Sequence, residues 1–127
     1  MATEFAVTVE NKLGMLADLT EALAKSGVNI MAIHAAPCAD CGIVQFVTNN
    51  PDATMLALKD AAIEFATHEV LLVSLRDEPG ALARLARALA DAKININAIY
   101  ITMSQQVVLD VNNLRKAQQV AMSMGIG

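Results

Sequence analysis

The chain contains one sequence pattern twice, and this repeat constrains its architecture more than any single residue does. Residues 7–33 read VTVENKLGMLADLTEALAKSGVNIMAI, and residues 73–99 read VSLRDEPGALARLARALADAKININAI. The two segments align without a gap at an offset of 66 residues, so that Gly14 corresponds to Gly80 and Asn29 corresponds to Asn95. The repeat predicts two copies of one structural unit. Any role that the glycine and the asparagine have is therefore expected once in each copy.

The composition limits both the core and the partners of such a chain. Each copy has only about 60 residues, which is marginal for an independent core, so we expect the copies to pack together or to pair with another chain. The sequence is 55% apolar but only 3% aromatic and has no tryptophan, which leaves almost no side chains for stacking on bases. A net charge of −4 also argues against a nucleic-acid partner.

The sequence shows no feature of a membrane or secreted protein. No apolar run approaches the roughly 18 residues of a membrane span. The start of the chain, Met1–Glu4, lacks the basic and apolar segments of a signal peptide. Two cysteines close together, Cys38 and Cys41, do not make the disulfide framework of a small secreted domain. We therefore expect a cytoplasmic protein with no membrane partner.

Apolar periodicity and turn residues predict the order strand, helix, strand, strand, helix, strand for each copy. For the first copy the predicted strands are 5–9, 28–34 and 43–48, the helices are 15–26 and 53–62, and a turn-rich loop covers 37–42. For the second copy the predicted strands are 70–76, 94–101 and 107–111, and the helices are 81–92 and 114–124. An extended segment, 63–75, is expected to close the first copy and to open the second, which then lacks its last strand.

This order predicts an α+β protein with two units, residues 1–68 and residues 69–127. Each unit is expected to have an antiparallel sheet with both helices on one face. The strand after the first helix of each copy is apolar at nearly every position, which predicts that both faces of the sheet are buried. Pairing of sheet edges between copies or between chains is the expected way to bury them.

The turn between the first strand and the first helix is the clearest candidate site. In the second copy it contains Asp77, Glu78, Pro79 and Gly80. Proline fixes the backbone, and glycine removes the side chain where the backbone must be approached closely. The unpaired N–H groups that begin the helix suit a carboxylate, and the two acids suit an ammonium group. The pattern predicts recognition of a zwitterion such as a free amino acid.

The first copy keeps Gly14 in this turn but has neither the proline nor the acids. Asn29 and Asn95 begin the strand that follows the first helix of each copy. In such a unit the first and second strands are not neighbours, so contact between the glycine turn and the asparagine strand is easiest across two packed copies. Two alternatives stay open: the glycines serve only the turn, and the asparagines serve only to satisfy backbone groups.

Two segments of the second copy carry a family resemblance. Residues 76–83, RDEPGALA, and residues 92–96, AKINI, resemble the signature of the ACT domain family of regulatory amino-acid-binding modules. Residues 11–17, NKLGMLA, with residues 26–30, SGVNI, resemble it in a weaker form. Leu13 stands where the pattern usually has proline, and Lys93 stands where it usually has glycine. The resemblance covers nearly the whole chain and is strongest to small proteins made of two ACT units without an enzyme.

The resemblance implies two ferredoxin-like βαββαβ units that associate, and amino acids that bind where the glycine loop of one unit meets the asparagine strand of another. It implies a cytoplasmic, dimeric regulatory protein whose partners are a free amino acid as effector, a second copy of the chain and a regulated enzyme. The implied ligand-binding residues fall into two sets. They are Asn11, Leu13, Gly14, Met15, Leu16, Asn29 and Ile30 in the first copy, and Asp77, Pro79, Gly80, Ala81, Leu82, Asn95 and Ile96 in the second.

No residue pattern indicates catalysis or a cofactor. The histidines are not accompanied by a nucleophile-and-base pattern, and no nucleotide-type glycine loop is present, so we expect no enzyme activity and no cofactor. The pair Cys38 and Cys41 is compatible with a redox pair, with half of a zinc site completed in a dimer, or with two incidental cysteines. We expect no metal site. The competing hypotheses are an amino-acid sensor, a ligand-free interaction module and a metal-linked dimer.

Overall fold

The structure is a computed structural model that describes residues 1–10 and 12–127. Residue Asn11, one of the predicted site residues, lies outside the described part of the chain. The elements in chain order are β1 (Ala2–Glu10), α1 (Met15–Lys25), β2 (Ile30–Cys38), β3 (Cys41–Thr48), α2 (Pro51–Asp60), β4 (Ala66–Ser74), α3 (Ala81–Asp91), β5 (Ile96–Ile101), β6 (Gln106–Val111) and α4 (Leu114–Ser123). No helix in these two described ranges is both long enough and apolar enough to span a membrane.

The chain divides into two compact units. The first comprises Thr3–His68, and the second comprises Glu69–Gly127 together with Met1–Ala2. In the first unit β3 lies between β1 and β2, and in the second β6 lies between β4 and β5, with every pair antiparallel. The predicted α+β fold is confirmed, including the prediction that the first two strands of a unit are not neighbours.

The core of the first unit explains why both of its helices lie on one face of the sheet. Phe5 of β1 and Phe46 of β3 stack with ring centroids 5.6 Å apart, and both side chains are fully buried. The same cluster contains Leu19 and Leu23 of α1, four residues apart on one helix face, and Leu58 of α2. Because both helices contribute to one cluster with the sheet, they cover the same face.

The core of the second unit has the same plan with smaller side chains. Leu71 of β4 and Leu109 of β6 take the positions of the two phenylalanines. Leu85 of α3 and Ala117 of α4 complete the cluster, so these two helices also share one sheet face.

The hairpin of the first unit is longer than the sequence predicted. Residues 37–42 were predicted as a loop, but Pro37 pairs with Gly42 and Cys38 pairs with Cys41, so that only residues 39 and 40 form the turn. The prediction was wrong because proline and glycine were read as strand breakers. Proline lacks an N–H group, and β2 lies at the edge of its unit's sheet, where a missing donor is tolerated.

The segment between α2 and α3 contains one strand. Residues 66–74 of the predicted extended run 63–75 form β4, and the boundary between the two units falls after His68. Beyond α4, the backbone N–H of Ser74 donates to the carbonyl oxygen of Ile126 at 3.2 Å, so the end of the described chain lies beside β4.

The strands that follow α1 and α3 are not buried over their whole length. In β2, Ala32 is buried whereas His34 and Ala35 are exposed. In β5, Tyr100 is buried, but Ile99 is 40% exposed and Ile101 is 67% exposed. The prediction that both faces of these strands are buried therefore fails towards their C-terminal ends within this chain. These exposed ends border two grooves.

Candidate functional site

The two glycine turns have nearly the same backbone conformation. Gly14 has φ +85° and Gly80 has φ +90°, values that strain any residue with a side chain. Each glycine immediately precedes a helix, and its carbonyl oxygen accepts the N–H of Asp18 or Arg84, respectively, at 2.9 Å. Neither helix has a side-chain cap at this end. The glycines are thus required by the turn itself. The N–H of Ala81, the first residue of α3, donates to the carbonyl oxygen of Glu78 at 3.3 Å, and the N–H groups that follow in the first turn of each helix have no partner within the helix.

Groove 1 lies beside the turn of the first unit and has a volume of about 410 Å³. It is bounded by the start of α1, by the last residues of β1 and β2, and by the first residues of β3. Its lining residues are Val9, Glu10, Lys12, Met15, Leu16, Ala35, Ala36, Pro37, Gly42, Ile43 and Val44.

Groove 2 lies beside the turn of the second unit and is larger, with a volume of about 620 Å³. Its lining residues are Leu75, Arg76, Asp77, Glu78, Ala81, Leu82, Ile99, Tyr100, Ile101, Gln105 and Val107. Leu75, Arg76, Glu78, Ala81 and Leu82 each stand 66 residues after a residue that lines groove 1. Each copy of the sequence repeat therefore forms one groove at the equivalent place, between the start of a helix and the end of a β-hairpin.

The charges at corresponding positions around the two grooves are inverted. Glu10 corresponds to Arg76, Lys12 corresponds to Glu78, and Asp18 corresponds to Arg84. In the first unit, Lys12 Nζ lies 3.0 Å from Glu10 Oε2, and both side chains are largely exposed. In the second unit, Arg84 Nη2 lies 3.1 Å from Glu78 Oε1. The same backbone thus presents opposite charges at three equivalent places.

This inversion changes how each helix start interacts with an anion. Asp18 lies in the first turn of α1, where its carboxylate already complements the positive end of the helix dipole. The first turn of α3 contains no acid, and Arg76 lines the groove beside it. Across the residues that the structure describes, Arg76 forms no salt bridge. Groove 2 therefore combines a guanidinium group beside a helix start that has no acid with the carboxylates of Asp77 and Glu78.

Asn29 and Asn95 lie away from both grooves. Asn29 and Gly14 are at opposite ends of α1, and 11 helical residues span about 16 Å. The N–H of Asn29 donates to Asn49 Oδ1 at 3.0 Å, and the N–H of Asn49 donates back to the carbonyl oxygen of Asn29. Asn95 and Asn112 repeat both bonds at 3.0 and 3.2 Å. These bonds hold the backbone at the start of β2 and of β5.

The structure therefore brings together only part of the predicted site. Met15 and Leu16 line groove 1, and Asp77, Ala81 and Leu82 line groove 2. The remaining described residues of the prediction are near the grooves or distant from them. Leu13, Gly14, Pro79 and Gly80 lie in the turns without lining a groove, whereas Asn29, Ile30, Asn95 and Ile96 lie at the far ends of the helices.

Several groove residues were not predicted from the sequence. The sequence assigned no binding role to Arg76, and the apolar wall made by Ile99 and Ile101 was not identified. These isoleucines are two positions apart, the spacing of one strand face, and such a pattern usually indicates a core. Their exposure follows from the place where α3 begins, which the sequence pattern of β5 does not encode.

The two cysteines form a disulfide at the end of the first hairpin. Cys38 and Cys41 are direct register partners, and their Cα atoms are 5.0 Å apart. An oxidised pair offers no thiolate, the form of cysteine that binds zinc. In this state the pair therefore does not supply the ligands that a metal-linked dimer requires.

Comparison with known proteins places this geometry in a family. A family model described as an ACT domain pair matches residues 1–125. A solved structure of a protein from Bacteroides thetaiotaomicron is 30% identical with a TM-score of 0.90, and the match covers 98% of this chain and 89% of that one. The ligand-free regulatory subunit of aspartate kinase from Thermus thermophilus is 19% identical with a TM-score of 0.73, covering 98% and 89%. No protein with a curated functional description matches the chain.

Proposed function

Since the chain belongs to the family of ACT domain pairs, we propose that it is a cytoplasmic regulatory protein that binds a free amino acid as its effector. Groove 2 is the principal site in this proposal, and groove 1 is the second candidate. The proposed function has no catalytic step. The amino acid acts by stabilising one assembly of the protein, or one complex with a regulated enzyme, over another.

The observation that carries the proposal is the combination of charges in groove 2. The α-carboxylate of the ligand would lie at the start of α3, where free N–H groups and Arg76 both attract an anion. Glu78 is already paired with Arg84, which leaves Asp77 as the acid that would receive the α-ammonium group. A zwitterion matches this arrangement better than a simple anion or cation does.

The apolar wall of groove 2 favours a ligand with an aliphatic side chain. Leu82 is 50% exposed and Ile101 is 67% exposed, and both border the groove together with Ile99. Covering such side chains contributes roughly 25 cal/mol for each Å² of apolar surface removed from water. The volume of about 620 Å³ is within the range of small-molecule pockets.

A second copy of the chain would complete the site. Asn29 and Asn95 cannot reach the turn of their own unit because a whole helix separates them. In a homodimer, the start of β2 or of β5 in the partner chain would approach the glycine turn and close the groove from outside. In that assembly the predicted asparagines and the isoleucines that follow them would contact the ligand.

A ligand regulates such a protein only through a difference in affinity between two states. An amino acid that is bound tightly only by the closed dimer would shift the chain towards that dimer. The exposed apolar residues also favour one alternative, a ligand-free module that docks on a partner enzyme. Met103, which is 78% exposed, lies in the turn between β5 and β6, two residues from both Ile101 and Gln105 of the groove 2 lining, and would take part in such a contact.

The test is a thermal-unfolding screen of the full chain against each standard amino acid, with light scattering to follow assembly. A ligand at one hundred times its dissociation constant stabilises the native state by about 2.7 kcal/mol, which corresponds to a shift of the unfolding midpoint of roughly 10 °C for a chain of this size. We expect an aliphatic amino acid to give such a shift. If no amino acid changes the midpoint at millimolar concentration, the sensor function is rejected in favour of the interaction module.

Matched variants locate the site. Arg76→Glu gives groove 2 the charge that groove 1 has at the same position, and we expect it to abolish most of the ligand-induced shift. Glu10→Arg is the control because it makes the reverse change in groove 1 and should leave the shift in place. Equal losses in both variants would contradict the assignment to groove 2.

A further inference from the structure

The turn that closes the first hairpin has a sequence that does not favour it. Only Ala39 and Asp40 connect Cys38 to Cys41. Two-residue hairpin turns need residues that tolerate positive φ, chiefly glycine and asparagine. Ala39 has φ +39°, a conformation that is unfavourable for a residue with a Cβ atom. The disulfide therefore supplies a constraint that the turn residues themselves do not provide.

The corresponding hairpin of the second unit is closed without any cysteine. The N–H of Thr102 donates to the carbonyl oxygen of Gln106 at 2.8 Å, and the N–H of Gln106 donates to Thr102 Oγ1 at 2.9 Å. Ser104 Oγ adds a contact of 3.1 Å to the same threonine hydroxyl. A change in redox state can therefore act on one hairpin and leave the other unaffected.

The disulfide is adjacent to the wall of groove 1. Pro37 and Gly42 form the next pair along the hairpin, and both line the groove, as do Ala36 and Ile43. When the cross-link is removed, the hairpin end has fewer interactions left to hold this wall in place.

The size and exposure of the cross-link suit a local, reversible role. Stabilisation by a disulfide grows with the length of chain that it closes, and here only two residues lie between the cysteines. Both cysteines are partly exposed, so a small dithiol can reach the sulfur atoms in the folded protein. Disulfides in the cytoplasm, the proposed location, are commonly transient or redox-sensing rather than structural.

We propose that the Cys38–Cys41 disulfide is a reversible redox site, and that its reduction loosens the hairpin wall of groove 1 but not groove 2. A thiolate of a dithiol reductant attacks one sulfur, the S–S bond breaks, and the released cysteine thiolate takes up a proton. The second thiol of the reductant then displaces the other cysteine. The products are two cysteine thiols and a reductant oxidised by two electrons to its own disulfide.

The first measurement needs no ligand. The full chain is oxidised with glutathione disulfide or reduced with dithiothreitol and treated with iodoacetamide under native conditions. We expect no label in the oxidised protein and label on both cysteines in the reduced protein. Amide hydrogen exchange over residues 35–44 should rise by about tenfold or more on reduction, while exchange over residues 96–106 stays the same.

The double variant Cys38→Ser with Cys41→Ser separates the cross-link from other effects of the reductant. It should exchange like the reduced protein in both buffers. The proposal is overturned if the disulfide does not form on oxidation, if it is reduced only when the chain unfolds, or if hydrogen exchange near the hairpin is the same in both states. A rise in exchange throughout the molecule would also overturn the proposal, because it would show that the disulfide stabilises the whole fold and not only the hairpin.

The consequence for ligand binding rests on the proposed function, whereas the labelling and exchange results do not. For an amino acid that binds to the Arg76→Glu variant, whose groove 2 is impaired, reduction is expected to weaken binding severalfold by calorimetric titration. Unchanged affinity would overturn the link between the hairpin and the groove. Absence of binding to the unsubstituted chain in both redox states, alongside a clear change in exchange, would reject the sensor function and retain the redox site.

Discussion

The two units have the same backbone plan but fill it with different side chains. Two buried phenylalanines, Phe5 and Phe46, stack in the first core, and Leu71 and Leu109 take their places in the second. Because the first hairpin is longer, the offset between copies falls from 66 residues to 63 after it, so that Asn50 corresponds to Asn113. The comparison shows that two residues in contact in one unit are both replaced in the other. In a close-packed core a larger side chain at one position requires a contacting side chain that fits it.

A polar pair follows the same rule. In the first unit, Thr48 Oγ1 and Thr54 Oγ1 are 2.8 Å apart and buried. The equivalent residues of the second unit are Val111 and Ala117, and both belong to its apolar core. In the first unit the two hydroxyl groups bond each other and the backbone of Asn50, whereas the second unit has replaced both with apolar groups. Either arrangement avoids a buried polar atom without a partner.

The largest effect is expected from removing one member of the aromatic pair. Phe46→Ala should lower the free energy of unfolding by about 3–5 kcal/mol, because it deletes a fully buried ring and leaves a cavity. Leu109→Ala, the matched change in the second unit, should cost about 2–5 kcal/mol. Urea denaturation gives both values. Hydrogen exchange should rise first in the unit that carries the substitution, and an equal rise in both units would show that they unfold as one.

The next effect concerns the threonine pair. Thr54→Ala should destabilise the protein by about 1–3 kcal/mol, because the Thr48 hydroxyl proton loses its buried acceptor while its oxygen still accepts the N–H of Asn50. The double variant Thr48→Val with Thr54→Ala copies the second unit and should recover most of that loss. A double-mutant cycle measured by urea denaturation provides the coupling energy. Simple addition of the two single effects would contradict the pairwise interpretation.

Smaller and equal effects are expected at the two helix caps. Asn50 Oδ1 accepts the N–H of Ala53, and Asn113 Oδ1 accepts the N–H of Lys116, both at 3.1 Å. Replacing either asparagine with alanine should cost about 1 kcal/mol. Thermal and urea unfolding of the two variants should agree within about 0.5 kcal/mol. A larger difference would mean that the two caps are not equivalent despite their matching geometry.

The smallest effect is expected where the first helix of each unit ends. Gly27 has φ +70° and Lys93 has φ +64°, and each N–H donates to the helix at 3.0 Å. Lys93→Gly should stabilise the protein by about 0.5 kcal/mol, since relief of strain exceeds the added flexibility of the unfolded chain. Gly27→Lys should destabilise it by about 1 kcal/mol. Loss of stability in Lys93→Gly, measured by urea denaturation, would show that the lysine side chain makes a stabilising contact.

Most of the fold could be predicted from the sequence because its signals are local or repeated. Helix starts were marked by Gly14, Gly80 and the asparagine pairs, and the apolar spacing within each helix identified the face that is buried. The hairpin from Pro37 to Gly42 could not be predicted in this way. Whether a proline ends a strand or is tolerated depends on whether that strand lies at a sheet edge, which is a property of the folded unit.

The grooves were predictable only in part. The turns were identified because glycine and proline there carry a specific backbone requirement. The exposed wall of Ile99 and Ile101 was not predicted. Alternating apolar residues give the same sequence pattern whether a helix covers them or does not reach them. The inversion of charge between Glu10 and Arg76 is visible in the aligned repeats, but its meaning depends on knowing that both residues border a groove.

The asparagine pairs have a consequence for how the two halves of each unit are joined. Asn49 and Asn112 bond the main chain at the start of β2 and of β5, and the asparagine after each one bonds the main chain of the next helix. In all four cases the side chain is matched to the peptide backbone and not to any particular neighbouring side chain. The joint is thus indifferent to the identity of the residues it connects, and a chimera with α2 and α4 exchanged at this point would keep its connection intact.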